Sequence, residues 1–142
     1  MSAREGALAA LLAAVQASLP SSTVLRSTGT PEPIPSGVAL VTLHEGACEA
    51  AEPILSPLSY EIVWTAPLTV DADTSAARGI AADAIASVML ANPTLSGAVD
   101  WAEMGLPEGE VVSSPSMEGQ QPPIFSITLP IRLHYVATSP AG

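Results

Sequence analysis

Two histidines and one cysteine are the side chains of this sequence best suited to chemistry near neutral pH. His44 and Cys48 stand four residues apart among Glu45, Glu49 and Glu52. Those residue types could serve a base-assisted thiol or a metal. A soft metal needs three or four Cys/His ligands, which the chain cannot supply. No EF-hand spacing of oxygen ligands exists for a hard cation. The stretch from His44 to Pro53 therefore reads as a solvated acidic loop. Asp71-Ala-Asp73 reads as helix capping rather than as a metal pair. His134 lies in a strand pattern, and serine and aspartate are too common for a Ser-His-Asp arrangement to carry information. There is no phosphate-cradling Gly-Lys-Ser loop, no dinucleotide glycine fingerprint and no nucleophile-elbow serine. We expect no catalytic residue, no cofactor and no metal, and no essential role for Cys48.

The charge balance excludes further classes. Among 142 residues there are 4 Lys+Arg against 14 Asp+Glu, a formal net charge of −10, and no lysine at all. A nucleic-acid binder needs a basic footprint to neutralise phosphates, and Arg4, Arg26, Arg78 and Arg132 are scattered. Attachment to an anionic membrane is disfavoured for the same reason. Hydrophobic residues make up 48% of the chain, enough to bury a core, while charged residues reach only 13%. So little charge leaves a bland surface for a monomer, as if partners cover part of it. A single cysteine excludes an intrachain disulfide.

The elements that would position these residues follow from periodicity. Leu8, Leu11, Leu12, Val15 and Leu19 share one helical face, and Ser2 with Glu5 forms a capping box. This pattern favours an amphipathic helix over a signal peptide. No segment is long enough to span a bilayer, so a soluble, cytoplasmic chain is expected. Val24–Arg26 and Val38–Leu43 read as short strands either side of the proline-rich turn Thr30–Gly37. Tyr60–Val70 and Phe125–Tyr135 alternate apolar and polar residues, so each has one buried and one wet face. Arg132 and His134 fall on the wet face and Trp64 on the buried one. Pro67 and Pro130 interrupt these strands, which suggests an edge position or a local bend at each.

Between them lies an alanine-rich helix from Thr74 to Ala91. Its expected inward stripe is Ala77, Ile80, Ala81, Ala84, Val88 and Ala91, with Ile85 and Met89 beside it, and Asn92-Pro93 stops it. Val99–Glu103 reads as a strand carrying Trp101, which suits core and interface equally. Residues 105–123 show no periodicity, and no internal repeat is apparent. The expected fold class is α+β, with residues 1–142 as a single domain: one mostly antiparallel sheet with two helices packed on one face.

This order of elements resembles the tail terminator proteins of long-tailed phages, prophages and gene-transfer agents. The resemblance spans nearly the whole chain: the opening helix Ser2–Leu19, the long strand Tyr60–Val70, the helix Thr74–Ala91, the turn Asn92-Pro-Thr-Leu-Ser-Gly97 with Val99-Asp-Trp101, and the closing stretch Phe125–Thr138. It implies a homo-oligomer, a hexameric ring that caps the tail tube, ends its polymerisation and docks the head. Its implied partners are the tail tube protein and a head-completion or connector protein, with DNA passing through without specific binding and with no membrane. The place implied is the head-proximal end of the tail in the virion, with assembly in the host cytoplasm. Candidate interface residues are Glu45, Glu49, Glu52, Trp101, Glu108, Glu110 and Met117, with residues 105–123 as the segment that orders on contact. The alternatives are a small cytoplasmic enzyme with a site near His44 and Cys48, or another tail or head-completion subunit.

Overall fold

A computed structural model describes residues 2–29, 33–34, 36–54, 59–113 and 123–139. Along the chain run helix α1 (Ala3–Ser18), strands β1 (Thr23–Arg26), β2 (Leu40–Leu43), β3 (Ala47–Pro53) and β4 (Tyr60–Ala72), helix α2 (Ser75–Ala91), and strands β5 (Trp101–Met104), β6 (Glu108–Ser113) and β7 (Ile124–Ala137). One sheet orders them β1-β2-β4-β7-β5, with β3 also on β4 and β6 also on β7. Among the described residues, β1 with β2 is the one parallel pair. The fold is α+β, as the periodicity predicts.

Both helices begin where a hydroxyl can satisfy a free backbone N–H. Ser2 Oγ accepts from Glu5 N and Thr74 Oγ1 from Ala77 N, each at 3.1 Å. The expected capping box is only half present, because the Glu5 carboxylate turns to Arg26 instead (2.8 and 2.9 Å). The Asp71-Ala-Asp73 pair does not cap α2 either. Asp71 accepts from the Ser126 hydroxyl, and Asp73 from Gly37 N at 3.2 Å.

The core lies between the helices and one sheet face. β4 contributes Ile62, Trp64, Ala66, Leu68 and Val70, and β7 contributes Ile127, Leu129, Ile131, Leu133 and Tyr135. From α1 come Leu8, Leu11 and Val15, and from α2 Ala77, Ala81, Ile85 and Met89. Two expectations for α2 are corrected here. The buried stripe steps every four residues through Ala77, Ala81, Ile85 and Met89; Ile80, placed on the inward face by its spacing, is 69% exposed. Ala91 is exposed as well, while Ala84 and Val88 are half-buried. Four residues turn a helix by slightly more than a full turn, and a short helix lying obliquely on a twisted sheet follows that stripe.

β4 and β7 form the central ladder along all thirteen residues of β4. Their prolines are therefore not at a sheet edge. On the far side of β4, β2 ends opposite Leu68 and β3 begins opposite Thr65, which leaves Pro67 between them. On the far side of β7, β5 ends opposite Ile131 and β6 begins opposite Thr128, which leaves Pro130 in the matching gap. No neighbouring strand needs the N–H that either proline lacks. The linker carried past each gap bonds to the proline carbonyl: His44 N to Pro67 O at 2.9 Å and Gly105 N to Pro130 O at 2.8 Å. A short strand, a three-residue linker, an edge strand and a long strand thus occur twice in this order, the first time after α1 and β1 and the second time after α2. The sequence shows only Thr65-Ala-Pro67-Leu68 against Thr128-Leu-Pro130-Ile131 as its trace.

Two segments expected to be irregular contain strands. The acidic loop His44–Pro53 holds β3, and residues 105–123 hold β6 at Glu108–Ser113. β3 is exposed along nearly its whole length, so no alternation marks it. Its backbone bonds to β4 hold it in place. Glu110 lies within β6, and Met117 lies outside the described residues.

Candidate functional site: the open face of the sheet

The residues of β4 and β7 that turn away from the helices form a second, open face. In register across it, Val63 lies opposite His134, Thr65 opposite Arg132 and Glu61 opposite Val136. β5 adds Trp101 beside His134 and Glu103 beside Arg132, and β3 brings Glu49 over Thr65. The cross-strand geometry, rather than proximity in sequence, assembles these groups.

Arg132 is the centre of this cluster. Its guanidinium donates to Glu49 at 2.8 Å and lies 3.8 Å from Glu103. Glu49 also accepts from the Thr65 hydroxyl at 2.8 Å. The Arg132 guanidinium, helped by Thr65, holds the Glu49 carboxyl below the usual carboxylate range, and Glu49 in turn raises Arg132. His134 Nε2 is 3.4 Å from Glu103, and its ring stacks on Trp101 with centroids 4.8 Å apart and planes at 26°. Trp101 is 49% exposed, so the structure places it at the surface rather than in the core. Trp64 takes the buried position its alternation predicts and donates from Nε1 to Glu45 O at 2.6 Å.

Past Arg132 the charge is uncompensated. Glu52 and Glu61 face each other directly across β3 and β4. Among the described residues neither is paired with a cation, and like charges in that position repel. The arginines are engaged elsewhere. Arg4 lies over the Trp64 ring and 3.8 Å from Glu45. Arg26 is held by Glu5, which raises its own pKa and lowers that of Glu5. Arg78 lies over Phe125 and donates to Ser126 O at 3.4 Å.

The candidate residues are thus partly brought together. Glu49 and Trp101 join one open-face cluster with Arg132, Glu103 and His134, which the interface expectation did not include. The signal for Arg132 and His134 is their place on the wet side of an alternating strand. Glu45 turns to Arg4, Glu52 to the repelling pair, and Glu108 starts β6 opposite Thr128. His44 and Cys48 do not form a common site. His44 Nε2 is 2.9 Å from Thr69 Oγ1 on the open face, whereas Cys48 lies opposite Trp64, a helix-face residue, and donates to Ala50 O. Among the described residues no three of His, Cys, Asp and Glu gather as metal ligands, and no helix is long and apolar enough to cross a membrane.

No protein-family model matches the sequence, and no curated protein matches it. Its fold is similar to that of a solved chain described as "Virion of native gene transfer agent (GTA) particle". The two superpose with a TM-score of 0.53 at 14% identity, over 94% of this chain and 93% of that one. At that identity the likeness is one of fold.

Proposed function

We propose that this chain is a structural protein of a phage-like particle, and that it acts as a tail terminator. In this reading copies form a ring, six by the resemblance, that caps the tail tube, ends its growth and presents a docking surface to the head. The observation that carries the proposal is a fold shared end to end with a chain of a gene-transfer-agent virion. The sequence resemblance, carried by element order and a few turn residues, points to the same class of particle.

The physical character of the chain supports an assembly role. Its composition is poor in charge, its edge strand β3 is exposed, and Arg132 pairs with Glu49 and Glu103 on the open face. The engaged arginines and the uncompensated Glu52 and Glu61 suit a passage for DNA that must slide rather than adhere. Glu49, Trp101 and their neighbours Arg132, Glu103 and His134 are the open-face residues offered to a partner.

Deletion of the gene tests this reading. The expected result is particles with tubes beyond the normal length and heads without tails, restored by the gene in trans. Tubes of normal length that fail to join heads would assign the chain to head completion instead. Normal particles would overturn a structural role.

A further inference from the structure

The open face carries a second feature, farther along β4 from the Arg132 cluster. A pocket of about 490 Å³ opens there over β1, β2 and β4. Its floor is apolar, made by Leu25, Ile34 and Leu40. Leu40 is only 4% exposed, yet it lies on this side of the sheet and outside the core beneath the helices. Hydroxyls rim the floor, with one carboxylate among them. Thr42 and Thr69 are cross-strand partners, and the next pair on the same face is Leu40 with Asp71. Asp71 Oδ1 accepts from the Ser126 hydroxyl, and among the described residues no cation pairs with Asp71. Arg26 contributes to the wall, but its guanidinium is held by Glu5 of α1, on the helix side.

We infer that this pocket receives a lysine side chain of another protein. The inference rests on the proposed place of the chain among the proteins of a particle, and it names the chemistry of one such contact. Shape and charge together decide the occupant. A lysine is an apolar stem that ends in a compact point charge with three donors. The stem lies on Leu25, Ile34 and Leu40, and the ammonium meets the Asp71 carboxylate with the Thr42 and Thr69 hydroxyls beside it. Arginine fits less well. Its planar fork asks for both oxygens of a carboxylate, and Asp71 has one of them engaged by Ser126. The chain itself contains no lysine, so neither its own side chains nor those of a second copy supply this ligand. Its net charge of −10 draws a cationic partner toward the surface.

NMR titration of the full chain tests the pocket. The probes are Nα-acetyl-lysine N-methylamide, its norleucine counterpart, which keeps the stem and lacks the ammonium, and its arginine counterpart. The lysine probe is expected to shift the amide signals of Thr42, Thr69 and Asp71 and to bind at least about tenfold more tightly than either of the others. Asp71→Asn keeps the side-chain shape and an acceptor for Ser126, and should weaken lysine binding at least about tenfold. If that variant fails to fold, the comparison with norleucine in wild type still decides. Equal binding of the lysine and norleucine probes overturns the inference, as does tighter binding of arginine. Carbodiimide cross-linking of purified particles then tests the partner. It joins the Asp71 carboxyl to a lysine Nε as an amide, and the carbodiimide takes up the water that is lost. Because the chain contains no lysine, a lysine linked to Asp71 belongs to another protein. Mass spectrometry is expected to find that link. Links from other carboxylates of the chain with none from Asp71 overturn the docking. Particles that lack the chain altogether count against the proposed function instead, and the probe comparison decides the pocket independently of it.

Discussion

Pro67 and Pro130 face each other across the middle of the central ladder, and each lies where its strand changes outer neighbours. The two linkers that cross these gaps are close-fitting. Gly46 has φ +74, and a Cβ there would stand 1.8 Å from Thr65 O, a backbone atom that cannot swing aside.

Gly46→Ala is therefore expected to destabilise the protein by about 2–4 kcal/mol, from left-handed backbone strain plus the displaced strand. Urea denaturation checks this. An unchanged midpoint would mean that the linker does not pass so close to β4.

The strands around this junction show what periodicity reveals and what it hides. β4 and β7 are plain in the sequence because one face of each is buried and the other wet, so Ile62, Trp64 and Leu68 alternate with Glu61, Thr65 and Thr69. β3 has no such contrast: Ala-Cys-Glu-Ala-Ala-Glu is exposed along nearly its whole length, and backbone pairing with the Glu49 side-chain bonds to Thr65 and Arg132 defines it. Pro67 and Pro130 suggest edges to any reading that lacks knowledge of where the outer strands end. Ile80 fits the helical period yet faces outward, because the tilt of α2 on the sheet, a tertiary property, selects the buried stripe. The open-face cluster was half visible. Alternation puts Arg132 and His134 on the wet face, but only the register brings Glu49 and Glu103 to them.

Acid sensitivity follows from two paired carboxyls. Glu5 and Glu49 both have lowered pKa values, held down chiefly by Arg26 and Arg132. A lowered folded-state pKa adds stability above the unfolded value near 4.5 and loses it as the pH falls through the folded value. Thermal midpoints should thus be flat from pH 7 to about 5 and fall below that. In the Glu5→Gln/Glu49→Gln double variant the fall should be shallower. Equal slopes in the two proteins would show that neither pair contributes.

The two tryptophans should report separately. Trp64 is buried and Trp101 half-exposed on the His134 ring. Trp101→Phe should leave a blue-shifted emission that iodide barely quenches, and should change stability by no more than about 0.5 kcal/mol. Trp64→Phe loses its bond to Glu45 O and its contact with Arg4, and should cost about 1–3 kcal/mol. Strong quenching in the Trp101→Phe variant would contradict the buried assignment.

The turn after α2 stores backbone strain. Leu95 and Ser96 both have positive φ, 48° and 60°, with Leu95 buried and Ser96 N bonded to Asn92 Oδ1 at 2.9 Å. Ser96→Gly keeps that backbone bond and removes the steric penalty, so it should stabilise the protein by about 1 kcal/mol. Leu95→Gly should instead destabilise it, by leaving a cavity in the core. Chemical denaturation of the two variants should give shifts of opposite sign.

The central ladder ties the first half of the molecule to the last. Tyr60 pairs with Ala137 and Ala72 with Phe125, so the whole of α2, β5 and β6 must be made before β4 meets its main partner. A ribosome therefore has to make α2, β5, β6 and β7 before β4 can complete the central ladder. Truncating the chain before β7 leaves β4 an apolar strand with an open side, which makes the fragment a target for aggregation rather than a smaller working unit.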